Sequence, residues 1–166
     1  MEHISQRSIK SEFKKLNLVK ITQEILTKFA LIADKQKVKL SLMCHESQIY
    51  IVGSETFLSE AIDNLVDNAL LYGCPNGGSI IVELKLESNS VQLVIKDDGK
   101  GIKPELIGNV FDRFFHDSKS NNGGSGLGLS IAKTIIELHD GTLTLNSDEK
   151  GTSLFISIPQ FQSKDN

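Results

Sequence analysis

Three short stretches place chemically able residues where the local pattern asks for something else. In Val91, Leu93, Ile95 and Asp97 the inward row of a strand ends in a carboxylate, because side chains two apart share a face. Asp98-Gly99-Lys100-Gly101 follows directly, and its glycines allow close backbone approach to a ligand and positive φ. An inward carboxylate needs a partner to offset its lost hydration. The exocyclic amine of a nucleobase could be that partner, at about 1.5–3 kcal/mol for a charge-assisted hydrogen bond. An Asp-Gly turn that merely closes a strand is the ordinary alternative.

The second stretch is Asn64-Leu65-Val66-Asp67-Asn68-Ala69. Asn64 and Asn68 are four apart, so on a helix they lie on one face, one turn above the other. Asparagine forms helix poorly, and two of them in the middle of an apolar helical pattern need a reason. An amide oxygen is a hard ligand suited to Mg²⁺, which keeps several waters and takes other ligands from phosphates. A solvated polar face is the competing explanation. The third stretch, Gly123-Gly124-Ser125-Gly126-Leu127-Gly128-Leu129, leads into a helix. Glycine-rich backbone at a helix N-terminus offers free N–H donors and the positive end of the dipole to phosphate, whereas in isolation it could be a linker. No Gly-Lys-Ser/Thr follows it, and it trails a polar loop rather than a strand, so neither the Walker nor the Rossmann pattern applies.

These residues need elements to hold them. Leu18, Ile21, Ile25, Phe29 and Ile32 recur at three and four, which predicts a helix with Asn17 as N-cap. Val38, Leu40 and Leu42 alternate as a half-buried strand, and Ile49–Val52 is a shorter one. Ser54 caps a helix with two apolar rows, Phe57/Ala61/Leu65/Ala69 and Leu58/Ile62/Val66/Leu70, ended by Gly73, Pro75, Gly77 and Gly78. Strands follow at Ser79–Leu86 and Val91–Asp97, then a short helix opened by Pro104 and a Gly-, Ser- and Asn-rich stretch over Ser118–Gly128. A helix over Leu129–Leu138 and a hairpin of Thr142–Asn146 and Ser153–Ile158 complete the pattern. Residues Met1–Lys15 are polar with weak periodicity, and the last residues read as disordered. Helices and mostly antiparallel strands in one unit predict an α/β two-layer sandwich.

The composition is compatible with one globular domain: 166 residues, 39% hydrophobic and 23% charged, with a net charge of −3 and a pI of about 5.8. The net charge argues against a nucleic-acid groove, and no nucleic-acid partner is expected. No apolar run reaches the roughly 18 residues of a membrane span, and the start does not resemble a secretory signal. Cys44 and Cys74 have no metal-like spacing, which fits free thiols in a reducing cytoplasm.

Taken in order, the motifs resemble the ATP-binding catalytic domain of two-component sensor histidine kinases, within the superfamily of gyrase, the Hsp90 chaperone, histidine kinases and MutL. Asn64–Ala69 resembles the N box, Asp97–Gly101 the first glycine box, and Val110-Phe111-Asp112-Arg113-Phe114-Phe115 the F box. Gly124–Leu129 resembles the second glycine box and Gly151-Thr152 the last, so the match runs from about Leu16 to Pro159. The resemblance implies a Bergerat-type fold, with a mixed, mostly antiparallel sheet covered on one face by helices. It implies ATP and Mg²⁺ as cofactors, with Asn68 on the metal and Asn64 supporting metal or phosphates. Asp97 would read the adenine amine, Gly99 and Gly101 give the base room, and Tyr72 line the rim. Arg113 would reach phosphate, and Gly124, Gly126, Leu127 and Gly128 would form the lid hinge and phosphate-facing turn. Thr152 would fix a water network near adenine, and Phe111, Phe114 and Phe115 would pack the mobile segment on the body.

ATPases of the superfamily carry a water-activating glutamate where this chain has Asn64, and an amide cannot act as a general base. Phosphoryl transfer to an external nucleophile is therefore expected over hydrolysis. Leu71 stands where the family often has Lys or Arg, a loss that Lys100 or Lys119 could offset, and His116 stands where arginine is frequent. None of the four histidines has the phosphoacceptor context, so the acceptor is expected on a dimerisation domain of the same protein. The expected division is residues 1–15 as linker or end of a dimerisation helix, 16–160 as catalytic domain, and 161–166 as tail. The expected partners are that dimerisation domain and a response regulator, with the isolated domain monomeric and the full protein a homodimer. The expected place is the cytoplasmic side of an inner-membrane sensor. A serine kinase of the anti-sigma type and a nucleotide-binding module without catalysis are the alternatives.

Overall fold

A computed structural model of the chain describes residues 2–116 and 124–163, with side chains from residue 6 onward. The expected flexible stretch over Ser118–Gly128 thus falls partly outside the described residues, as do Gly123, Lys119 and the last three residues of the tail. The element order is α1 (Glu2–Lys10), β1 (Lys14–Asn17), α2 (Leu18–Lys35), β2 (Val38–Cys44), β3 (Tyr50–Gly53) and α3 (Glu55–Asn68). After a π-helical turn at Ala69–Gly73 come β4 (Gly78–Leu86), β5 (Ser90–Asp97), α4 (Pro104–Ile107), α5 (Gly128–Leu138), β6 (Thr142–Asp148) and β7 (Gly151–Pro159).

Five strands form one sheet in the order β2-β4-β5-β7-β6, parallel only between β2 and β4. This is the expected mixed, mostly antiparallel sheet. The period of two decides its faces. Ile80, Val82 and Leu84 on β4, Val91, Leu93 and Ile95 on β5, and Leu154, Ile156 and Ile158 on β7 are all buried. On the other face Lys85, Lys96 and Phe155 are exposed, whereas Val94 is buried there. Helices α2, α3 and α5 bury their apolar stripes with the inward rows in one core. Burying a side chain such as Leu65 or Ile80 stabilises by about 1.5–3 kcal/mol.

Both expected helix caps form. Asn17 accepts from Val19 N–H at 3.2 Å and Ser54 accepts from Phe57 N–H at 3.4 Å. The α2 stripe ends differently from the sequence reading: Ala33 is buried and Ile32 is 45% exposed. Continuing the stripe from Phe29 by four residues rather than three keeps it facing the sheet. The polar start also differs, since it carries α1 and the strand β1, which pairs antiparallel with β3 from Lys14↔Gly53 to Asn17↔Tyr50. That strand has exposed Lys14 and Lys15 and is held by backbone pairing, so no apolar period announces it.

A buried histidine joins these parts. His139, 4% exposed, donates from Nδ1 to Ile135 O at 2.7 Å, so its Nε2 is left to accept from Ser54 N–H at 3.1 Å. Its ring stacks on Phe13 at 4.6 Å. Burial holds its pKa below the ordinary value of 6.5, opposed by the hydrogen bond to Ile135 O, with Lys10 lowering it further and Asp140 raising it. The unfolded chain therefore takes up a proton that the folded chain refuses, in the window between the folded pKa and 6.5. Stability is expected to fall as pH drops through that window. Urea midpoints should decrease on acidification from neutral pH, and His139→Gln should flatten that decrease. A parent and variant with the same pH slope would remove His139 from this role.

Candidate functional site

The site begins where three inward rows run out of apolar residues at one end of the sheet. On β5 the row ends in Asp97, on β7 it ends in Thr152 after Ile158, Ile156 and Leu154, and on β6 it ends in Ser147 after Leu143 and Leu145. The register joins them, with Ile80 opposite Asp97 and Ser147 opposite Thr152. Asp97 Oδ1 accepts from Gly99 N–H at 3.0 Å and from Thr152 N–H at 3.2 Å. Burial pushes the Asp97 pKa up, and the two N–H donors oppose that rise. Its other oxygen, Oδ2, has no hydrogen-bond partner among the described residues and lies against Gly73, where a Cβ would stand 2.5 Å from it. A carboxylate fixed at one oxygen and open at the other is a ready acceptor for a ligand N–H.

Around it the chain is threaded through glycines. A Cβ on Gly99 would stand 1.9 Å from Gly73 O, and one on Gly101, where φ is 73°, would stand 1.9 Å from Asp148 O. These two glycines are thus required by backbone crossing, in addition to any room they leave for a ligand. Asp98 turns the other way and accepts from Ser79 N–H at 2.8 Å, anchoring the start of β4. Beneath it the Cys74 thiol is buried and its pKa is pushed up to about 11, first by burial and then by Asp97.

The second wall is α3. Asn64 and Asn68 are half-buried, and neither amide has a hydrogen-bond partner among the described residues. Past Asn68 the helix widens into the π-helical turn, closed by Cys74 N–H to Ala69 O at 2.9 Å. Such turns recur at functional sites, and this one carries Tyr72 and brings Gly73 beside Asp97. The glycine-rich segment lies along this wall. A Cβ on Gly128 would stand 3.7 Å from Asn64 Oδ1, and one on Gly124 would stand 2.1 Å from the Tyr72 hydroxyl. Gly126, with φ of 72°, sits against Phe115 O and His116 Nε2. Leu127 occupies the N-cap position of α5 and supplies no side-chain cap, so the first N–H groups of that helix have no capping side chain. Helix α5 packs on α3, which aims the positive end of its dipole toward Asn64.

Asn64, Asn68, Tyr72, Asp97, Gly99, Gly124, Gly128 and Thr152 are therefore linked through neighbouring contacts or shared elements, and Gly101 joins them through Asp148 and Ser147. Arg113 is not drawn in: it is exposed and has no hydrogen bond or ion pair with a described residue. The aromatic cluster divides. Phe111 packs on the core and under Lys133 Nζ at 5.2 Å, whereas Phe114, with φ of 61°, is 69% exposed and does not pack on the body. Leu71 is half-buried and Lys100 exposed. Sequence reasoning missed Ser147 and Gly73. Ser147 breaks its row as Asp97 does, so the same rule applied to Leu143, Leu145 and Ser147 would have found it.

No group of three or more His, Cys, Asp or Glu able to hold a metal exists among the described residues. Asn64 Oδ1 lies beside Gly128 at the α5 N-terminus and Asn68 stands one helical turn further along α3; two such amide oxygens fit Mg²⁺ shared with phosphates rather than a metal caged by protein.

Comparison with known proteins agrees with the fold. The family described as histidine kinase-, DNA gyrase B-, and HSP90-like ATPases matches residues 53–162. The sensor protein kinase PmrB of Pseudomonas aeruginosa is 32% identical over 148 residues, covering 89% of this chain and 30% of its own length. The sensor histidine kinase CusS of Escherichia coli K12 is 34% identical over 151 residues, covering 89% of this chain and 31% of its own length. The chain thus spans about a third of the length of these relatives. Among solved structures, the catalytic domain of histidine kinase ThkA superposes with a TM-score of 0.81 at 24% identity, over 90% of this chain and 96% of that one. The mycobacterial sensor histidine kinase MprB gives 0.76 at 26% identity, over 91% and 99%. With the N-box helix, the two glycine segments and Asp97 all placed at one end of that sheet, the chain belongs to the family of histidine kinase-, DNA gyrase B-, and HSP90-like ATPases.

Proposed function

We propose that this chain is the catalytic domain of a sensor histidine kinase, binding Mg-ATP and presenting its γ-phosphate to a histidine on a separate dimerisation domain. The observation that supports this most is Asp97, whose Oδ1 is fixed by Gly99 and Thr152 while Oδ2 stays open beside Gly73. An adenine amine donates into such an acceptor, and Tyr72, the residue before Gly73, would line the rim. Asn68 holds Mg²⁺ through its amide oxygen, Asn64 supports the metal or phosphates one turn earlier, and the α5 N-terminus takes phosphate on backbone N–H groups. When bound, Mg²⁺ neutralises charge that develops on the transferring phosphoryl group. Arg113, exposed on the F-box segment, approaches phosphate when that segment closes. Asn64 holds no proton-accepting carboxylate over the phosphates, which favours transfer to a histidine over hydrolysis.

The relatives are sensor kinases, and the ThkA kinase has been solved in complex with a response regulator protein. By that likeness the partners here are a histidine-bearing dimerisation domain and a response regulator. Residues 1–15 lead from the dimerisation helices, held on the domain by Lys10 to Asp140 at 2.7 Å and by the Phe13 stack. No helix among the described residues is long and apolar enough to cross a membrane. By likeness to the sensor kinases, the proposed location is the cytoplasmic side of a membrane sensor. The metal role is tested by Asn68→Ala, which is expected to lose the Mg²⁺-dependent part of ATP affinity with the circular dichroism unchanged. Calorimetric titrations with and without Mg²⁺ that match those of the parent would take Asn68 out of the metal site.

A further inference from the structure

Ser147 lies on β6 outside all of the motifs that carry the family likeness, yet its hydroxyl joins three parts of the nucleotide site. It accepts from Ile102 N–H at 2.8 Å, just past the first glycine segment. It contacts Gly151 O at 3.2 Å and the Thr152 hydroxyl at 2.8 Å. A carbonyl has no proton, so the Gly151 contact is a hydrogen bond only if Ser147 donates its single proton there. The Thr152 contact is then a hydrogen bond only if Thr152 donates into Ser147. Ser147 is saturated by this count, with one proton given and two lone pairs filled. The Thr152 hydroxyl has in turn spent its proton, and toward any ligand it can only accept.

That direction matters because Thr152 stands beside Asp97. Its backbone N–H binds Asp97 Oδ1, and the two residues end neighbouring inward rows. An ionised carboxylate also only accepts. We infer that Ser147 is a specificity-determining residue for the nucleobase, because it locks Thr152 as an acceptor and so completes a two-acceptor edge that takes an amine and rejects a carbonyl. The inference rests on the reading that Asp97 and Thr152 face the base. Adenine presents an amine there and guanine a carbonyl oxygen. Without Ser147 the Thr152 hydroxyl can rotate and donate, which relieves the clash of acceptors with guanine. Ser147 is thus a positioning residue that acts through Thr152 and has no need to touch the nucleotide.

The test is competition of Mg-ATP and Mg-GTP against a fluorescent ATP analogue on the whole chain, for the parent, Ser147→Ala and Ser147→Thr. Ser147→Ala is expected to lower the ATP-to-GTP affinity ratio by about 3- to 10-fold, the value of one neutral hydrogen bond. Ser147→Thr keeps a hydroxyl in place and should keep the ratio. A purely structural role would weaken both nucleotides together, so an unchanged ratio in Ser147→Ala overturns the inference while leaving the ATP site standing. A parent that does not itself prefer ATP overturns the nucleotide reading and the inference with it. Should Ser147→Ala fail to fold, Thr152→Val decides: it removes the oriented hydroxyl and must lower the ratio similarly, and a parental ratio overturns the proposal.

Discussion

Asp97→Asn is expected to weaken Mg-ATP binding by about 1–3 kcal/mol, or roughly 5- to 150-fold, without unfolding the chain. The fold should survive because an amide oxygen can replace Oδ1 as acceptor for Gly99 and Thr152 N–H. The amide nitrogen then takes the place of Oδ2, in the space beside Gly73. Two donors would meet where the account requires an acceptor, and an adenine amine has nothing to bind. Burial adds to the effect, since a mismatched polar group removed from water is not rescued by solvent. Calorimetric titration measures it directly. An Asp97→Asn protein that binds ATP as the parent does would contradict the assignment.

Gly101→Ala should be among the most damaging small substitutions in the fold, with Gly99 and Gly151, where a Cβ would also stand 1.9 Å from a backbone oxygen. Its φ of 73° lies in the left-handed region, where a Cβ costs about 1–2 kcal/mol. The new Cβ would also stand 1.9 Å from Asp148 O and 3.0 Å from the Ser147 hydroxyl, so backbone must move apart. Forced repacking of this kind costs about 1–3 kcal/mol, which brings the expected loss to roughly 2–5 kcal/mol. That is a large share of the 5–15 kcal/mol or so that holds a typical domain together. Gly108 is the internal control, with φ of −63° and nothing within 4 Å of a Cβ. Gly108→Ala should shift the urea midpoint little, or raise it slightly. Equal midpoints for the two variants would show that the crossing at Gly101 relaxes freely.

Part of the candidate site was readable because apolar periods stop abruptly at polar residues. Asp97 at the end of Val91, Leu93 and Ile95 is such a stop; Ser147 after Leu143 and Leu145 is another that went unread, and Thr152 was reached only through the family resemblance. The asparagines of α3 were readable because Asn is out of place amid two apolar rows. Contacts between distant segments were not readable. Nothing near Gly99 or Gly101 in sequence announces that Gly73 O and Asp148 O run past them. The widening of α3 into a π-helical turn keeps the same apolar side chains and changes only which carbonyl Cys74 N–H reaches. Strand β1 has only Leu16 to bury and forms through its backbone, while the caps Asn17 and Ser54 were legible as side chains. Phe114 shows the limit of reading aromatics as core, since its backbone turns the ring outward.

The central claim is that this domain donates phosphate to a histidine that it does not itself contain. Its most direct test mixes the chain with Mg-ATP labelled in the γ-phosphate and a separately produced histidine-bearing dimerisation domain. The account predicts label on that domain alone, stable in alkali and released by acid as a phosphoramidate is, with negligible ATP turnover by the chain by itself. An acid-stable phosphoester on the partner, or rapid hydrolysis of ATP without any partner, would contradict it.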